Sequence, residues 1–243
     1  MYEIPQINKN AAVSSKNLIL ALETSGRTGS VAIGTNGKML AEKQFSGLMR
    51  HSAEVFPTID TLLRKADKTP QDIGEIYISI GPGSFTGLRI AVAFAKTMNL
   101  AAGAKIVALD TLDIIAANAF DFLAMGNSSI NRVAVILDAK RGQFFTAVYE
   151  HNGGWEKILP DCLMTADEFI RKFSGQTPIC LLGEGLVYYK DKFKADGISF
   201  FDEDLWTPKA SQVFRLGLAK SAAGQFSDPL ALQPLYLRRA LEV

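Results

Sequence analysis

The chain has 243 residues, of which 48% are hydrophobic and 21% are charged, and its formal net charge at neutral pH is +1. This composition can support one large domain or two smaller lobes, each with its own hydrophobic core. The balanced charge argues against the broad basic field of a nucleic-acid-binding protein, although a local basic patch remains compatible with it.

The N-terminus predicts neither a secretory signal nor a membrane anchor. The first 16 residues, MYEIPQINKNAAVSSK, are polar and lack the apolar core of a signal peptide. No apolar run approaches the ~18 residues that a membrane span needs. Cys162 and Cys180 have no zinc-binding or disulfide-framework spacing. We therefore expect a cytoplasmic protein, with residues 1–16 as a loose polar extension before the first strand.

Strand and helix signals follow one another in the first half of the chain. The apolar run Leu18–Leu22 is typical of a buried strand, and Asn36-Gly37 is a strong hairpin turn signal. Residues 18–45 therefore predict three consecutive antiparallel strands. Further along, the pattern predicts a helix at about 51–67, a strand at 75–80, an apolar helix at 88–102, a strand at 105–109 and a helix at 111–122.

The pattern then begins again. ILALETS (19–25) is echoed by AVILDAK (134–140), and SVAIGTNGKMLAEK (30–43) is echoed by FTAVYEHNGGWEK (145–157). After this second set of strand signals come a helix near 166–173, a strand at 178–182 and a helix near 209–223. The sequence therefore predicts a duplicated lobe, and chance similarity between two hairpins is the alternative.

Two stacked lobes of βββαβα topology predict an α/β fold that resembles the actin, Hsp70 and sugar-kinase superfamily. That superfamily binds nucleotide in the cleft between its lobes, although fold alone does not establish function. We expect an N-terminal lobe at 17–112, a second lobe at 113–207, and a C-terminal helical segment at 208–243 that packs back on the first lobe.

A glycine-rich block, GPGSFTGLR, lies between the predicted strand 75–80 and the following helix. It lacks the lysine of a P-loop and the third glycine of a dinucleotide fingerprint. A tight turn whose Ser84 or Thr86 caps the helix fits the residues, and the helix N-terminus would favour an anion. A turn that only joins the strand to a tightly packed helix is the alternative. The predicted structural turn comprises Gly81, Pro82, Gly83, Ser84, Phe85, Thr86 and Gly87.

The chain resembles the TsaB (YeaZ) family of bacterial tRNA threonylcarbamoyladenosine biosynthesis proteins. The glycine block carries this resemblance together with four further stretches: ILALETSGRTGSVAI, LDTLD (109–113), VILDAKRGQFFTAVYE (135–150) and PLYLRR (234–239). The resemblance covers about residues 18–240. It implies a non-catalytic scaffold that binds the sister enzyme TsaD together with the ATPase TsaE, contacts tRNA only through that complex, and forms a homodimer in isolation. In the family, the helices corresponding to 51–67 and 87–102 form the partner face, which implies an interface of Val55, Ile59, Leu62, Arg89, Ala91, Ala93, Phe94, Ala95 and Met98.

Candidate catalytic chemistry is sparse. The two histidines, His51 and His151, form no metal-binding motif, so we expect no metal site of the sister-enzyme or metallopeptidase type. By the duplication, Glu23 and Asp138 end equivalent strands that face the cleft, where a kinase would hold Mg²⁺ or a base. The Glu-Thr-Ser sequence departs from the Asp-Thr-Ser usual in TsaB and matches the sister enzyme.

Two interpretations of these acids stay open. In one, Glu23, Thr24, Ser25 and Asp138 bind ATP or ADP weakly, or serve a small ATP-dependent kinase or ATPase. In the other, the acids cap nearby backbone amides or are relics of the ancestral cleft. No other cofactor and no catalytic residue is expected.

Overall fold

The computed structural model describes residues 16–48, 50–126 and 130–237. The predicted extension therefore lies outside the described residues, except for Lys16. The described part of the chain forms two five-stranded sheets with helices packed around them. It contains no helix that is long and apolar enough to cross a membrane.

The first sheet has the strand order β3-β2-β1-β4-β5. Its strands are β1 (Leu18–Glu23), β2 (Ser30–Thr35), β3 (Lys38–Gln44), β4 (Ile73–Gly81) and β5 (Lys105–Asp110). The first three strands pair antiparallel, whereas β4 and β5 run parallel to β1. The carboxyl ends of β1, β4 and β5 therefore lie along one edge of the sheet.

The second sheet has the order β10-β9-β6-β7-β8. Its strands are β6 (Arg132–Asp138), β7 (Gln143–His151), β8 (Trp155–Thr165), β9 (Ile179–Leu182) and β10 (Ile198–Phe200). Here too the first three strands form an antiparallel meander, and the last two run parallel to the first. Counted within each sheet, both orders are third, second, first, fourth, fifth. The predicted duplication and the α/β fold class of the actin, Hsp70 and sugar-kinase type are confirmed.

Helices cover both faces of the first sheet. Alternate β1 residues point to opposite faces, so Leu20 packs with α1 (His51–Lys65) and α2 (Phe85–Ala102), whereas Ala21 packs with α6 (Ala210–Ala222). Around the second sheet, the described residues include the shorter helices α4 (Ala166–Phe173) and α5 (Leu186–Tyr189). The first lobe therefore holds the two long neighbouring helices on one outer face.

The remaining helix, α3 (Thr111–Ala124), contacts both sheets. Its residues Leu112 and Ile115 belong to the core of the second sheet, while Ile114 belongs to the core shared with α6. The Asn118 amide donates to the carbonyl oxygens of Leu205 and Thr207, at 3.0 and 2.9 Å. The predicted boundary between residues 112 and 113 falls in the first turn of this helix.

A charged cluster fixes the start of α3 against the second sheet. The Lys157 ammonium lies 2.7 Å from a carboxylate oxygen of both Asp113 and Asp161, and 3.8 Å from Asp110. Burial lowers the pKa of Lys157, but hydrogen bonds to Asp113 and Asp161 outweigh it and raise the pKa overall. Burial raises the pKa values of Asp110 and Asp161. Lys157 therefore compensates the charge of three partly or largely buried carboxylates.

The chain after α6 returns across the first sheet without regular secondary structure. The Ser227 amide donates to the Ile106 carbonyl oxygen at 2.8 Å, and the Leu235 amide donates to the Ile80 carbonyl oxygen at 2.7 Å. Leu232 is buried in the same core as α1 and α2. This return segment, residues 223–237, brings Tyr236 next to the start of α2.

Candidate functional site

A cleft of about 750 Å³ lies where the strand-end turns of the two sheets meet. One wall comes from the turn after β1 and from the glycine block, and the other comes from the β6–β7 turn and the start of α5. The lining residues are Ser25, Gly26, Arg27, Gly83, Ser84, Phe85, Thr86, Leu137, Asp138, Ala139, Lys140, Phe145, Glu184 and Tyr188. Ser25, Asp138 and most of the predicted glycine turn therefore lie at this cleft.

The glycine block is packed directly against the turn after β1. A Cβ on Gly87 would lie 1.8 Å from the Thr24 carbonyl oxygen, and one on Gly83 would lie 2.5 Å from that of Ser25. The Thr24 hydroxyl donates to the Gly87 carbonyl oxygen at 2.8 Å, and the Ser84 amide donates to the Ser25 carbonyl oxygen at 2.8 Å. Glycine is therefore required because two backbones meet here.

Ser84 caps α2, since its hydroxyl accepts a hydrogen bond from the Gly87 amide at 3.3 Å. Thr86, the other candidate for this role, lies inside the first turn of the helix. Gly81 has a φ of +123°, which favours glycine, and the Gly81–Pro82 peptide bond is cis. The space where a Gly81 side chain would lie is occupied by the Leu235 carbonyl oxygen, 2.7 Å away.

Glu23 lies below the cleft and has no solvent exposure. Its Oε1 accepts hydrogen bonds from both the amide and the hydroxyl of Ser25, each at 2.5 Å. Its Oε2 has no hydrogen-bond partner among the described residues. Burial raises the pKa of the Glu23 carboxyl, and the bonds from Ser25 oppose this shift.

Asp138 lies at the cleft surface and has a parallel role in the second lobe. Its Oδ1 accepts from the Lys140 amide at 2.7 Å, and its Oδ2 lies 2.7 Å from the Lys140 ammonium. Both strand-end acids thus cap the amide two residues later, as one interpretation of the sequence expected. Binding of ATP or ADP by Glu23, Thr24, Ser25 and Asp138 remains a prediction.

Arg27 connects the two lobes and was not predicted. Its amide donates to Glu184 Oε2 at 2.9 Å. Its guanidinium donates to the Tyr188 hydroxyl at 2.9 Å and lies 5.1 Å from the centre of that ring. This contact could not be predicted from the sequence, because no local sequence pattern links Arg27 to Glu184 and Tyr188, which are far from it along the chain.

The two histidines make packing and hydrogen-bond contacts within the fold. His51 is buried, and its Nε2 lies 3.0 Å from the Gly26 carbonyl oxygen, so it supports the turn after β1. Burial lowers its pKa. His151 ends β7 and packs against Trp155. The described residues contain no group of three or more His, Cys, Asp or Glu side chains that could hold a metal ion.

Most of the side chains predicted for the partner surface on α1 and α2 are buried inside the protein, so that set of residues is corrected here. Within the chain's own first-lobe core lie Val55, Ile59, Leu62, Ala91, Phe94 and Ala95. Met98 is partly buried against the same core. These residues face inward because the apolar stripe of each helix covers the first sheet. Of the nine predicted residues, only Arg89 and Ala93 are exposed.

A different set of side chains faces outward on the two helices. On α2 the exposed residues Phe85, Arg89, Ala93, Thr97 and Leu100 recur every three or four positions and include one charge. On α1, Phe56 is 57% exposed and contacts Phe94 of α2 through its ring edge. We call one set of exposed residues on the two helices the docking face, which consists of Ala53, Phe56 and Pro57 of α1 and Phe85, Arg89, Ala93, Thr97 and Leu100 of α2.

Sequence comparison identifies the relatives of this chain. The Bacillus subtilis tRNA threonylcarbamoyladenosine biosynthesis protein TsaB is 33% identical over 227 residues, covering 91% of this chain and 94% of that protein. The chain belongs to the TsaB family. The Escherichia coli TsaB is 25% identical and covers 90% of the chain and 94% of its own length. The resemblance seen in the sequence motifs is therefore confirmed.

Two further comparisons agree with TsaB membership. The sequence model of the family described as "TsaD: tRNA N6-adenosine threonylcarbamoyltransferase" matches residues 20–200. The structure of YeaZ from Pseudomonas aeruginosa superimposes with a TM-score of 0.76 at 23% identity, covering 91% of this chain and 100% of that one. This TsaB-family chain thus shares its fold with YeaZ over nearly the whole described length.

Proposed function

We propose that this chain is a non-catalytic subunit in tRNA threonylcarbamoyladenosine biosynthesis. Its TsaB relatives are named for that pathway, and the family membership supports a role in it. In this proposal the docking face binds a TsaD partner and holds it in an active arrangement, TsaE joins the complex, and tRNA is contacted only through it. Without the partner, the same face pairs two copies of the chain in the cytoplasm.

The observation that carries the proposal is the character of the docking face. A helix at the surface of a globular protein normally exposes charged and polar side chains to solvent. Here α1 exposes Phe56 and α2 exposes Phe85 and Leu100, while Arg89 is the one charge in the α2 stripe. On α1, the exposed ion pair of Asp60 and Arg64 lies beyond Phe56 toward the end of the helix. Exposed large apolar side chains on two neighbouring helices are typical of a protein interface with a polar rim.

The cleft chemistry supports the non-catalytic part of the proposal. The Glu23 carboxyl is buried beneath Ser25 and caps its amide, so it does not reach the cleft surface. Asp138 is at the surface but is paired with Lys140. Neither acid is arranged as an unpaired base or a Mg²⁺ ligand in this conformation.

A small ATP-dependent kinase or ATPase is the second candidate, because a cleft of about 750 Å³ can hold a nucleotide. ATP turnover by the isolated chain, measured with Glu23→Gln and Asp138→Asn variants, decides between the two. Turnover that both substitutions abolish would overturn the non-catalytic proposal. Our expectation is no turnover above background for any of the three proteins.

The main test is reconstituted tRNA modification with TsaD, TsaE and the threonylcarbamoyl-AMP synthase, with and without this chain. We expect modification only when the chain is present. Phe56→Asp and Ala93→Glu should abolish both association with TsaD and modification, because each places an unpaired charge in the interface. Modification that proceeds equally well without the chain would refute the proposed role.

The matched control for Phe56 is Phe122, which is 53% exposed on α3 and contacts Phe201 through its ring edge. Phe122→Asp should leave association and modification unchanged, because it makes the same chemical change outside the docking face. If Phe122→Asp is as damaging as Phe56→Asp, the loss reflects a general effect of the substitution, and the docking face is wrongly placed.

A further inference from the structure

The start of α2 and the return segment together form a small composite surface at one end of the docking face. The guanidinium carbon of Arg89 lies 3.7 Å from the centre of the Phe85 ring, so the cation is stacked on that ring. The Arg89 Nε donates to the Tyr236 hydroxyl at 3.2 Å. The Phe85 and Tyr236 rings lie 5.4 Å apart at an angle of 33°.

The position of Tyr236 is fixed by the backbone of the return segment. The hydrogen bond from the Leu235 amide to Ile80 holds that segment at the end of β4, and Leu232 is buried in the first-lobe core. Tyr236 still remains 45% exposed, and Phe85 remains 53% exposed. The three side chains therefore form an ordered group that is open to a partner.

Arg89 has no ion-pair partner among the described residues, and its one hydrogen bond there uses Nε. Within the described ranges, neither terminal nitrogen has a hydrogen-bond partner, and Phe85 and Tyr236 orient the plane of the guanidinium. A planar guanidinium with two free terminal nitrogens fits a carboxylate, which can accept two parallel hydrogen bonds. Flanking aromatic rings exclude water from such a pair and strengthen it.

We propose that Phe85, Arg89 and Tyr236 form a receptor for a carboxylate side chain of the partner protein. This inference rests on the proposed function, because it assigns the partner's chemistry at one end of the docking face. It also gives the return segment a role in recognition. Because Phe85 lines the cleft as well, the receptor lies where the docking face meets the cleft.

A nucleic-acid phosphate is the other anion that a free guanidinium could bind. Sequence-tolerant RNA contacts combine such cations with exposed ring faces on which bases stack. Here one face of Phe85 is already covered by the Arg89 guanidinium, and the chain carries a net charge of only +1. These features favour a protein carboxylate.

The test measures the dissociation constant of the complex with TsaD by calorimetry at low and high salt. Arg89→Glu should weaken binding by at least about tenfold, because it sets a carboxylate against a carboxylate. Arg89→Lys should weaken it less, since the charge remains but the planar pair is lost. Tyr236→Phe, which keeps the ring and removes the hydroxyl, should weaken binding slightly and preserve folding.

The control is Arg171→Glu, the same charge reversal at an exposed position on α4 of the second lobe, which should bind like the wild type. If Arg89→Glu binds normally while Phe56→Asp abolishes binding, the receptor is refuted and the docking face stands. If neither affects binding, the docking face itself fails. If Arg89→Glu leaves TsaD binding unchanged but lowers tRNA binding by the isolated chain, the anion is a phosphate and the proposal is overturned.

Discussion

Replacing Gly87 by alanine would place a methyl group against the backbone of the turn after β1. The added Cβ would lie 1.8 Å from the Thr24 carbonyl oxygen, whereas ordinary contact begins at 3.4 Å, so the two segments must separate by about 1.6 Å. Because the obstacle is backbone, no side-chain rotation relieves the clash. The movement would also break the hydrogen bond from the Thr24 hydroxyl to the Gly87 carbonyl oxygen.

The expected loss follows from these contributions. Overpacking of this kind costs about 1–3 kcal/mol. Each hydrogen bond lost between the turn and the helix costs about 1 kcal/mol. Alanine is favoured over glycine inside a helix by about 1 kcal/mol, which offsets part of the loss. We therefore expect Gly87→Ala to lower the free energy of unfolding by about 2 kcal/mol.

Urea unfolding followed by circular dichroism measures this difference. Gly37→Ala is the control, because a Cβ there has no heavy atom within 4 Å and the residue does not need a positive φ. The control should change the unfolding free energy by less than about 0.5 kcal/mol. If Gly87→Ala is as stable as the control, the close packing of the glycine block against Thr24 is not what requires glycine.

Three further predictions concern buried polar groups. Asn118→Ala should lower the unfolding free energy by about 1–3 kcal/mol, measured in urea, because two carbonyl oxygens in segment 205–207 lose their donor. Lys157→Met should lower the unfolding free energy by about 2–3 kcal/mol at neutral pH, because it leaves buried carboxylates without their cation. The loss should be smaller in acid, where Asp110 and Asp161 take up protons, and a loss that does not depend on pH would contradict this. Burial raises the folded-state pKa of Glu23 above its usual value. The free energy of unfolding therefore falls as the pH rises from the unfolded-state pKa of this carboxyl to its folded-state pKa. Glu23→Gln should therefore gain stability relative to the wild type as pH rises from acid to neutral, and an unfolding series across pH that shows no such gain would contradict the burial of an ionisable carboxyl.

Much of the sheet architecture could be predicted, because its signals are local. The apolar runs of β1 and β6 and the hairpin that follows each of them are contiguous in the sequence. The Asn36-Gly37 turn does join β2 to β3, with Thr35 opposite Lys38, although neither turn residue has a positive φ. The turn signal thus predicted the connection correctly, although the positive φ values behind that signal are not used here.

The orientation of α2 could not be predicted in the same way. A helix that is apolar nearly all round has no strong contrast between its faces, so its sequence does not say which residues point inward. Ala91 and Ala93 are the same residue type two positions apart, yet only Ala93 is exposed. The sheet beneath the helix makes that choice, and a single sequence does not contain the positions of its neighbours.

The return segment was beyond prediction for a related reason. Residues 223–237 have no strand or helix periodicity, and they are held by single hydrogen bonds to Ile80 and Ile106. Such contacts join positions far apart in the chain and leave no mark in local composition. The contact between Tyr236 and Arg89 therefore becomes visible only when the chain is folded.

The geometry of the glycine block favours one of its two interpretations. In a phosphate-binding loop, glycines leave room for the ligand and backbone amides point at it. Here the room beside Gly83 and Gly87 is filled by the carbonyl oxygens of Ser25 and Thr24, which would repel an anion. The Ser84 and Gly87 amides are already bonded within the protein. The block therefore acts as a joint that fixes the start of α2, and with it the orientation of the exposed stripe that the proposed partner would meet.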